Sequence, residues 1–231
     1  MSLNGHAVTD RTSRSIKARK IEALLGGNLA GLNLLDLGTG SGVLADYFHE
    51  RGAHVVAADR DADFYCGSLP LTMIEGTTLP FDSHRFDLVV FNHVIEHVGD
   101  VEEQKAVLAE IRRILKPGGR LYLAVPNKWA LIEPHFQLPL LGALPRPIAN
   151  RLVRWSGKGQ GYDCYPLSLS QLVAMLGKCF SVVEDRSPEA VAWLVDNELH
   201  GLPRAGMQMV PSAILEWLRP AYPSFVMLCH D

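Results

Sequence analysis

Asp36 opens the run Asp36-Leu-Gly-Thr-Gly-Ser-Gly42, in which glycine recurs at every second position behind an apolar stretch. A loop without Cβ atoms lets backbone amides approach a ligand closely, and a helix starting behind it adds its positive end. A second carboxylate, Asp59, ends the next apolar run about one strand–helix unit downstream. There a carboxylate can accept both hydroxyls of a ribose. The glycine spacing departs from the dinucleotide fingerprint G-x-G-x-x-G, because the third glycine, Gly42, arrives one residue early. No Gly-Lys-Ser/Thr follows, which sets the loop apart from phosphate-cradling Walker loops. Asp36, the glycines and Asp59 together point to an adenosine-like ligand; a tight strand-to-helix turn with no ligand is the alternative.

Histidines form the second group able to do chemistry. His93 and His97 flank Glu96 just after a fully apolar run, and His135 follows in Glu133-Pro-His135-Phe. A histidine over a ligand mouth can take a proton near neutral pH, so His97 and His135 are the catalytic candidates. The competing reading is structural hydrogen bonding at a helix start and in a loop. Tyr162 and Tyr165 can line the same mouth or pack. The four cysteines, Cys66, Cys164, Cys179 and Cys229, form no Cys-x-x-Cys pair and have no histidine cluster near them in sequence. Neither a metal site nor a disulfide framework is expected from that spacing.

These groups must be positioned by regular elements, and the apolar pattern supplies them. A helical face over 13–25 stops at Gly26-Gly27. Short apolar runs over 33–37, 54–59, 71–75, 86–92 and 120–125 then alternate with helical patterns over 43–51 and 101–115, with 62–70 ambiguous. The 86–92 run is apolar throughout, as expected for a strand buried on both faces. Strand and helix in alternation predict an α/β fold: a Rossmann-like, doubly wound, mostly parallel seven-stranded sheet with helices on both faces. Lys116-Pro117-Gly118-Gly119 is a sharp helix stop ahead of a strand. Later patterns predict a helix over 168–179, a strand over 180–185, helices near 188–200 and 211–218, and a strand over 225–229 that closes the sheet as an antiparallel last strand.

One segment interrupts this alternation. Over about 127–166, Pro134, Pro139, Pro145 and Pro147 break up an apolar stretch carrying Trp129, Phe136 and Trp155. Lys128, Arg146, Arg151, Arg154 and Lys158 there outnumber the single acid, Glu133. The segment is expected to be a cap inserted in one domain spanning 13–231, behind a flexible 1–12. It is either a plain cover for the sheet or a face for an amphipathic or anionic acceptor, with peripheral membrane contact through its basic residues.

At this point the chain resembles the class I S-adenosylmethionine-dependent methyltransferases, closest to the type-11 and ubiquinone-biosynthesis-like branch. Four blocks in order carry the resemblance: Asp36-Leu-Gly-Thr-Gly-Ser-Gly42; the Asp59 strand end; Thr77-Thr-Leu-Pro-Phe81 leading to Arg85-Phe-Asp-Leu-Val-Val-Phe-Asn-His-Val-Ile-Glu-His-Val98; and Leu115-Lys-Pro-Gly-Gly-Arg-Leu121. It implies S-adenosyl-L-methionine as cofactor. Gly38 and Gly40 would hold its methionine part, with Thr39 and Gly42 completing the loop and Asp36 orienting it. Asp59, beside Arg60, would take the ribose hydroxyls, and Glu75-Gly76 would sit by the adenine amino group. Asn92 would face the methionine and the transferred methyl. The implied reaction is methyl transfer to a small-molecule or lipid-like acceptor by in-line displacement.

Composition bounds the rest. The 231 residues, against ~150 for a typical domain, suit one elaborated domain. Hydrophobic content of 48% and 20% charged residues exclude a disordered chain or a coiled coil. A net charge of −3 argues against nucleic acid as partner, since binding phosphates needs a large cationic excess, and the 86–92 run is followed by His93-Val-Ile rather than a base-methylating Pro-Pro-Tyr block. No stretch approaches the ~18 apolar residues of a membrane span and no secretory leader is evident, so a cytoplasmic protein is expected. Two other functions fit the loop: a non-catalytic cofactor-binding scaffold, and an NAD-dependent oxidoreductase, which the glycine spacing disfavours.

Overall fold

Apolar runs buried on both faces set the architecture. In the computed structural model, which describes residues 11–198, 200, 201, 206, 209–211, 214 and 218–231, seven strands form one sheet ordered β3-β2-β1-β4-β5-β7-β6. They are β1 (Asn33–Leu37), β2 (His54–Asp59), β3 (Leu71–Met73), β4 (Phe86–Asn92), β5 (Leu115–Pro126), β6 (Val182–Asp185) and β7 (Ser224–His230). β1 through β5 pair in parallel, while β7 runs antiparallel to both neighbours. This is the mostly parallel Rossmann-like sheet with an antiparallel last strand that the alternation predicts.

Period-2 side-chain alternation divides each central strand between two cores. On one face, Val89 and Phe91 of β4, Leu121 and Leu123 of β5, and Phe225 and Met227 of β7 pack with helices α4 (Val101–Ile114) and α6 (Leu169–Leu176). On the other, Leu88, Val90, Tyr122, Ala124, Val226 and Leu228 meet α1 (Arg11–Leu24), α2 (Val43–Glu50) and α7 (Ser187–Asn197). Capping residues mark the helix starts: Asp100 closes a capping box with Glu103 on α4, and Ser168 does so with Gln171 on α6.

Several sequence boundaries differ. Helix α1 begins at Arg11, inside the stretch expected to be flexible, whose residues 1–10 lie outside the described ones. The 62–70 stretch forms no helix or strand; its Cys66 amide donates to Ser41 O and its Ser68 to Asp46. Lys116-Pro117-Gly118-Gly119 stops the helix as expected but belongs to β5 as a bulge: Phe86 pairs with Leu115 and Leu88 with Arg120, so the extra residues loop out of register. The 71–75 strand shortens to three residues. The helix expected near 211–218 falls largely outside the described residues.

Residues 127–167 leave the sheet after β5 and return to it through a bridge between Asn127 and Leu167. They carry α5 (Arg146–Trp155) and their own apolar cluster of Phe136, Leu141, Ala149, Val153, Tyr162 and Cys164. Between β4 and α4, α3 (Ile95–Val98) forms a single turn. Among the described residues, no helix is long and apolar enough to cross a membrane.

Candidate active site

The carboxyl ends of β1, β2 and β4 converge on one cleft, which is where ligands bind in open α/β sheets. It is lined by Leu37, Gly38, Asp59, Arg60, Ile74, Gly76, Leu79, Phe91, Val94, His97, Val98 and Val107, and encloses about 500 Å³ including its open mouth. Mostly apolar walls with one carboxylate suit a flat heterocycle joined to a polyhydroxylated ring.

The glycine loop owes its path to left-handed backbone. Gly38 has φ +74°, and a Cβ there would lie 2.3 Å from Val94 Cγ2. Gly42 has φ +81°, and its Cβ would meet Gly67 Cα at 2.7 Å. A side chain at either position would displace the loop against its neighbours. The loop is pinned to β2: the amides of Gly38 and Thr39 donate to Ala58 O, and that of Gly40 donates to Asp59 Oδ2 at 2.7 Å. Asp59 Oδ1 accepts from the Arg60 amide, also at 2.7 Å. The two loops that the sequence marks separately are thus joined through one carboxylate.

Asp36 lies beneath this loop, 2% exposed, with its Oδ2 accepting from Thr39 Oγ1 at 2.6 Å. Burial raises its carboxyl to about 6, against the lowering effect of Thr39 and of the Arg14 guanidinium. Arg14, on α1, is itself pushed down by burial and its Nε has no hydrogen-bond partner. Sequence reading missed Arg14 because one cation on a polar helix gives no signal.

The remaining sequence candidates separate. Gly76 lines the cleft while Glu75 is exposed beside it, and Arg60 reaches across to donate from Nη1 to His97 O at 3.3 Å. Asn92, half-buried at the end of β4, is not part of the lining, whereas Val94 two residues on is. Leu79, in the Thr77–Phe81 block, is held by α4: its amide donates to Glu110 Oε2 and its carbonyl accepts from Arg113 Nη2. Arg113 also donates to Phe81 O and to Glu110, so one arginine clamps the turn that forms this wall.

A histidine cluster stands behind the cleft. His97 lines the cleft, and its ring meets that of His135 edge-on with centroids 4.9 Å apart. His135 comes from the 127–167 segment, and its Nε2 lies 3.0 Å from Oε1 of the fully buried Glu96; His93 Nδ1 lies 3.6 Å from the same oxygen. Burial raises the Glu96 carboxyl, but His135 and His93 outweigh it and bring it down to about 2. Burial likewise pulls His135 down, and its hydrogen bond and charge interaction with Glu96 win, leaving it raised. For His93 burial wins and the ring is lowered. Cys164 Sγ stands 3.9 Å from His97 Nδ1. His135, 38 residues downstream of His97, is the histidine expected at the mouth, whereas Cys164, 67 residues downstream, is the member of the cluster that sequence reading missed.

A parallel Rossmann-like sheet with a glycine loop after β1 and a carboxylate ending β2 defines the nucleoside-cofactor-binding class of α/β proteins. Residues 10–173 match the methyltransferase-domain family, and the chain belongs to that family. It is 32% identical over 141 residues to a ubiquinone biosynthesis O-methyltransferase of Bradyrhizobium sp. (strain ORS 278), covering 57% of this chain and 51% of the relative. It is 30% identical over 179 residues to a demethylmenaquinone methyltransferase of Clavibacter sepedonicus, covering 71% and 60%. The chain therefore spans roughly half to three fifths of these relatives. Among solved structures, it resembles in fold an S-adenosylmethionine-dependent methyltransferase from Archaeoglobus fulgidus, with a TM-score of 0.60 at 15% identity and 95% of each chain covered.

Proposed function

We propose that this protein is an S-adenosylmethionine-dependent methyltransferase acting on a small, lipid-like acceptor. The observation that carries the reading is that Gly38 and Asp59 line one cleft, joined through the Gly40 amide. The residues present fit the cofactor. Leu37, Ile74, Leu79, Phe91 and Val98 supply an apolar slot, Asp59 stands where ribose hydroxyls need an acceptor, and no Cβ can stand at Gly38, against Val94. Asp36 sets a buried negative charge under the loop, suited to the cofactor's cationic end.

When bound, the cofactor supplies a methyl on a sulfonium, whose leaving group is already good. The protein's work is therefore positioning and exclusion of water. Asp59 and the Gly38–Gly42 loop orient one partner. The walls from Phe91, Val94 and Val107 keep the cleft dry, with Arg113 and Glu110 holding the Leu79 wall in place. Gly76 would face the adenine, with Glu75 at the rim. A base is required only for an acceptor that is protonated in its ground state; neither His97 nor His135 is assigned that role.

The 127–166 segment is read as a cap on the acceptor side. What supports a lipid-like acceptor is the exposed apolar set Trp129, Leu131, Ile148 and Trp155 among Arg151 and Arg154, a composition suited to an amphipathic molecule or a lipid surface. The names of the relatives, which concern quinone biosynthesis, agree with that class. Calorimetric titration with S-adenosylhomocysteine, with NAD in parallel, tests the reading. Micromolar binding of the first and none of the second is expected; binding of NAD alone overturns it.

A further inference from the structure

His97, His135 and Cys164 come from three places in the chain, the turn after β4 and both limbs of the 127–167 segment. One ring nitrogen of each histidine and the cysteine sulfur lie within 4.8 Å of one another. Tetrahedral zinc, with Zn–S about 2.3 Å and Zn–N about 2.0–2.1 Å, sets S···N near ~3.6 Å and N···N near ~3.3 Å. Cys164 Sγ and His97 Nδ1, 3.9 Å apart, need close by only a few tenths of an ångström.

Carboxylates crowd the cluster. Glu96 and Glu133 are 0% and 3% exposed, and Glu96 Oε2 and Glu133 Oε1 are buried without any hydrogen-bond partner. Asp163 Oδ1 lies 3.6 Å from Cys164 Sγ. The nearby arginines spend their donors on backbone: Arg146 on Cys164 O and Arg60 on His97 O. Buried carboxylate oxygens left without donors call for a missing cation or donor.

Glu96 further matches the part that metal sites assign to a supporting carboxylate. Its Oε1 holds His135 Nε2 at 3.0 Å and so fixes the ring; a carboxylate behind a ligating histidine is the usual arrangement. Imidazole nitrogen and thiolate sulfur are both zinc ligands, and three protein ligands leave the fourth tetrahedral position open.

We infer that His97, His135 and Cys164 form a zinc site in the wall of the cleft, with Glu96 holding His135 in place. The alternative set, His93, Glu96 and His135, offers no soft donor, and its Glu96 Oε1 is engaged by His135 Nε2 at 3.0 Å. The inference rests on the cluster's geometry and stands or falls independently of the methyltransferase reading.

The test is reconstitution of the full chain, stripped with chelator, with Zn²⁺ and with Co²⁺ as a spectroscopic probe. One equivalent should bind, and the cobalt form should show a thiolate-to-metal charge-transfer band. Cys164→Ser should abolish that band and weaken zinc binding at least about 100-fold, and Glu96→Gln should weaken it about 10- to 100-fold. His93→Ala should leave the band in place. Circular dichroism confirms that each variant is folded, and His135→Ala provides a second ligand deletion if Cys164→Ser does not fold. No stoichiometric binding by the parent chain, or binding without the thiolate band, overturns the inference; so does a folded Cys164→Ser that retains full affinity.

Discussion

Glu96 is held by the 127–167 segment twice: its carboxylate Oε1 lies 3.0 Å from His135 Nε2, and its backbone carbonyl accepts from the Tyr165 amide at 2.7 Å. The turn after β4 and the excursion after β5 are thereby one unit, and Gln104 adds to it by donating to both Ile95 O and Tyr165 O. Removing His135 leaves a fully buried carboxylate whose nearest remaining side-chain nitrogen among the described residues is His93 Nδ1, 3.6 Å away. His135→Ala is expected to cost about 3 kcal/mol. In a double-mutant cycle with Glu96→Gln, measured by urea unfolding at pH 6, the two losses should be far from additive; additive losses would mean that the pair contributes nothing.

Asp59 supports little packing at its strand end, yet it joins the glycine loop to β2. Asp59→Ala should weaken S-adenosylhomocysteine binding by about tenfold or more, as expected when charge-assisted hydrogen bonds are lost. The melting temperature should shift by only a few degrees. Calorimetry and thermal unfolding on the same preparation separate the two effects, and unchanged affinity would remove Asp59 from the site.

At Gly38 the constraint is geometric. Gly38→Ala places a Cβ 2.3 Å from Val94 Cγ2 on a backbone with φ +74°, so the loop must move off Val94. A left-handed alanine alone costs about 1–2 kcal/mol. The expected outcome is a destabilised but folded protein whose cofactor affinity has dropped further than its stability, read by calorimetry beside urea unfolding. Parent-like affinity would show that the loop tolerates a side chain and does not touch a ligand.

Asp36 carries a pH signature. Its folded carboxyl sits at about 6 against an ordinary 3.8, so the folded state holds the proton more tightly than the unfolded chain. The contribution of Asp36 to stability is then fully present below about 3.8 and is lost as pH rises through 6, by an amount on the order of 3 kcal/mol. Asp36→Asn should flatten that decline, making the variant gain on the parent between pH 4 and pH 8 in denaturant midpoints. Binding has the opposite sense: S-adenosylhomocysteine, through its ammonium, should bind the parent more weakly below pH 6, where Asp36 loses its charge. A midpoint difference between variant and parent that is the same at pH 4 and pH 8 would count against the buried charge.

Local chemistry made the cofactor side of this protein legible. The apolar runs that become β1 and β4 are buried on both faces, which forces a continuous hydrophobic pattern, and glycines at Gly38 and Gly42 stand where φ is positive. The β5 bulge was not legible, because Pro117-Gly118-Gly119 satisfies a helix stop and a strand excursion equally until the register with β4 is known. Nor did any spacing place Arg14 near Asp36.

The sheet, its helical layers and the loop–carboxylate pair were readable along the chain, since periodicity and turn chemistry act between residues close in sequence. Long-range packing alone brings Glu96, His97, His135 and Cys164 into one cluster, turns Glu75 to solvent while Gly76 lines the cleft, and sets Arg113 against the Leu79 wall. Those relations depend on where the 127–167 segment packs against the turn after β4. That placement is set by burial and hydrogen bonding across tens of residues, which leave no periodic trace in the chain.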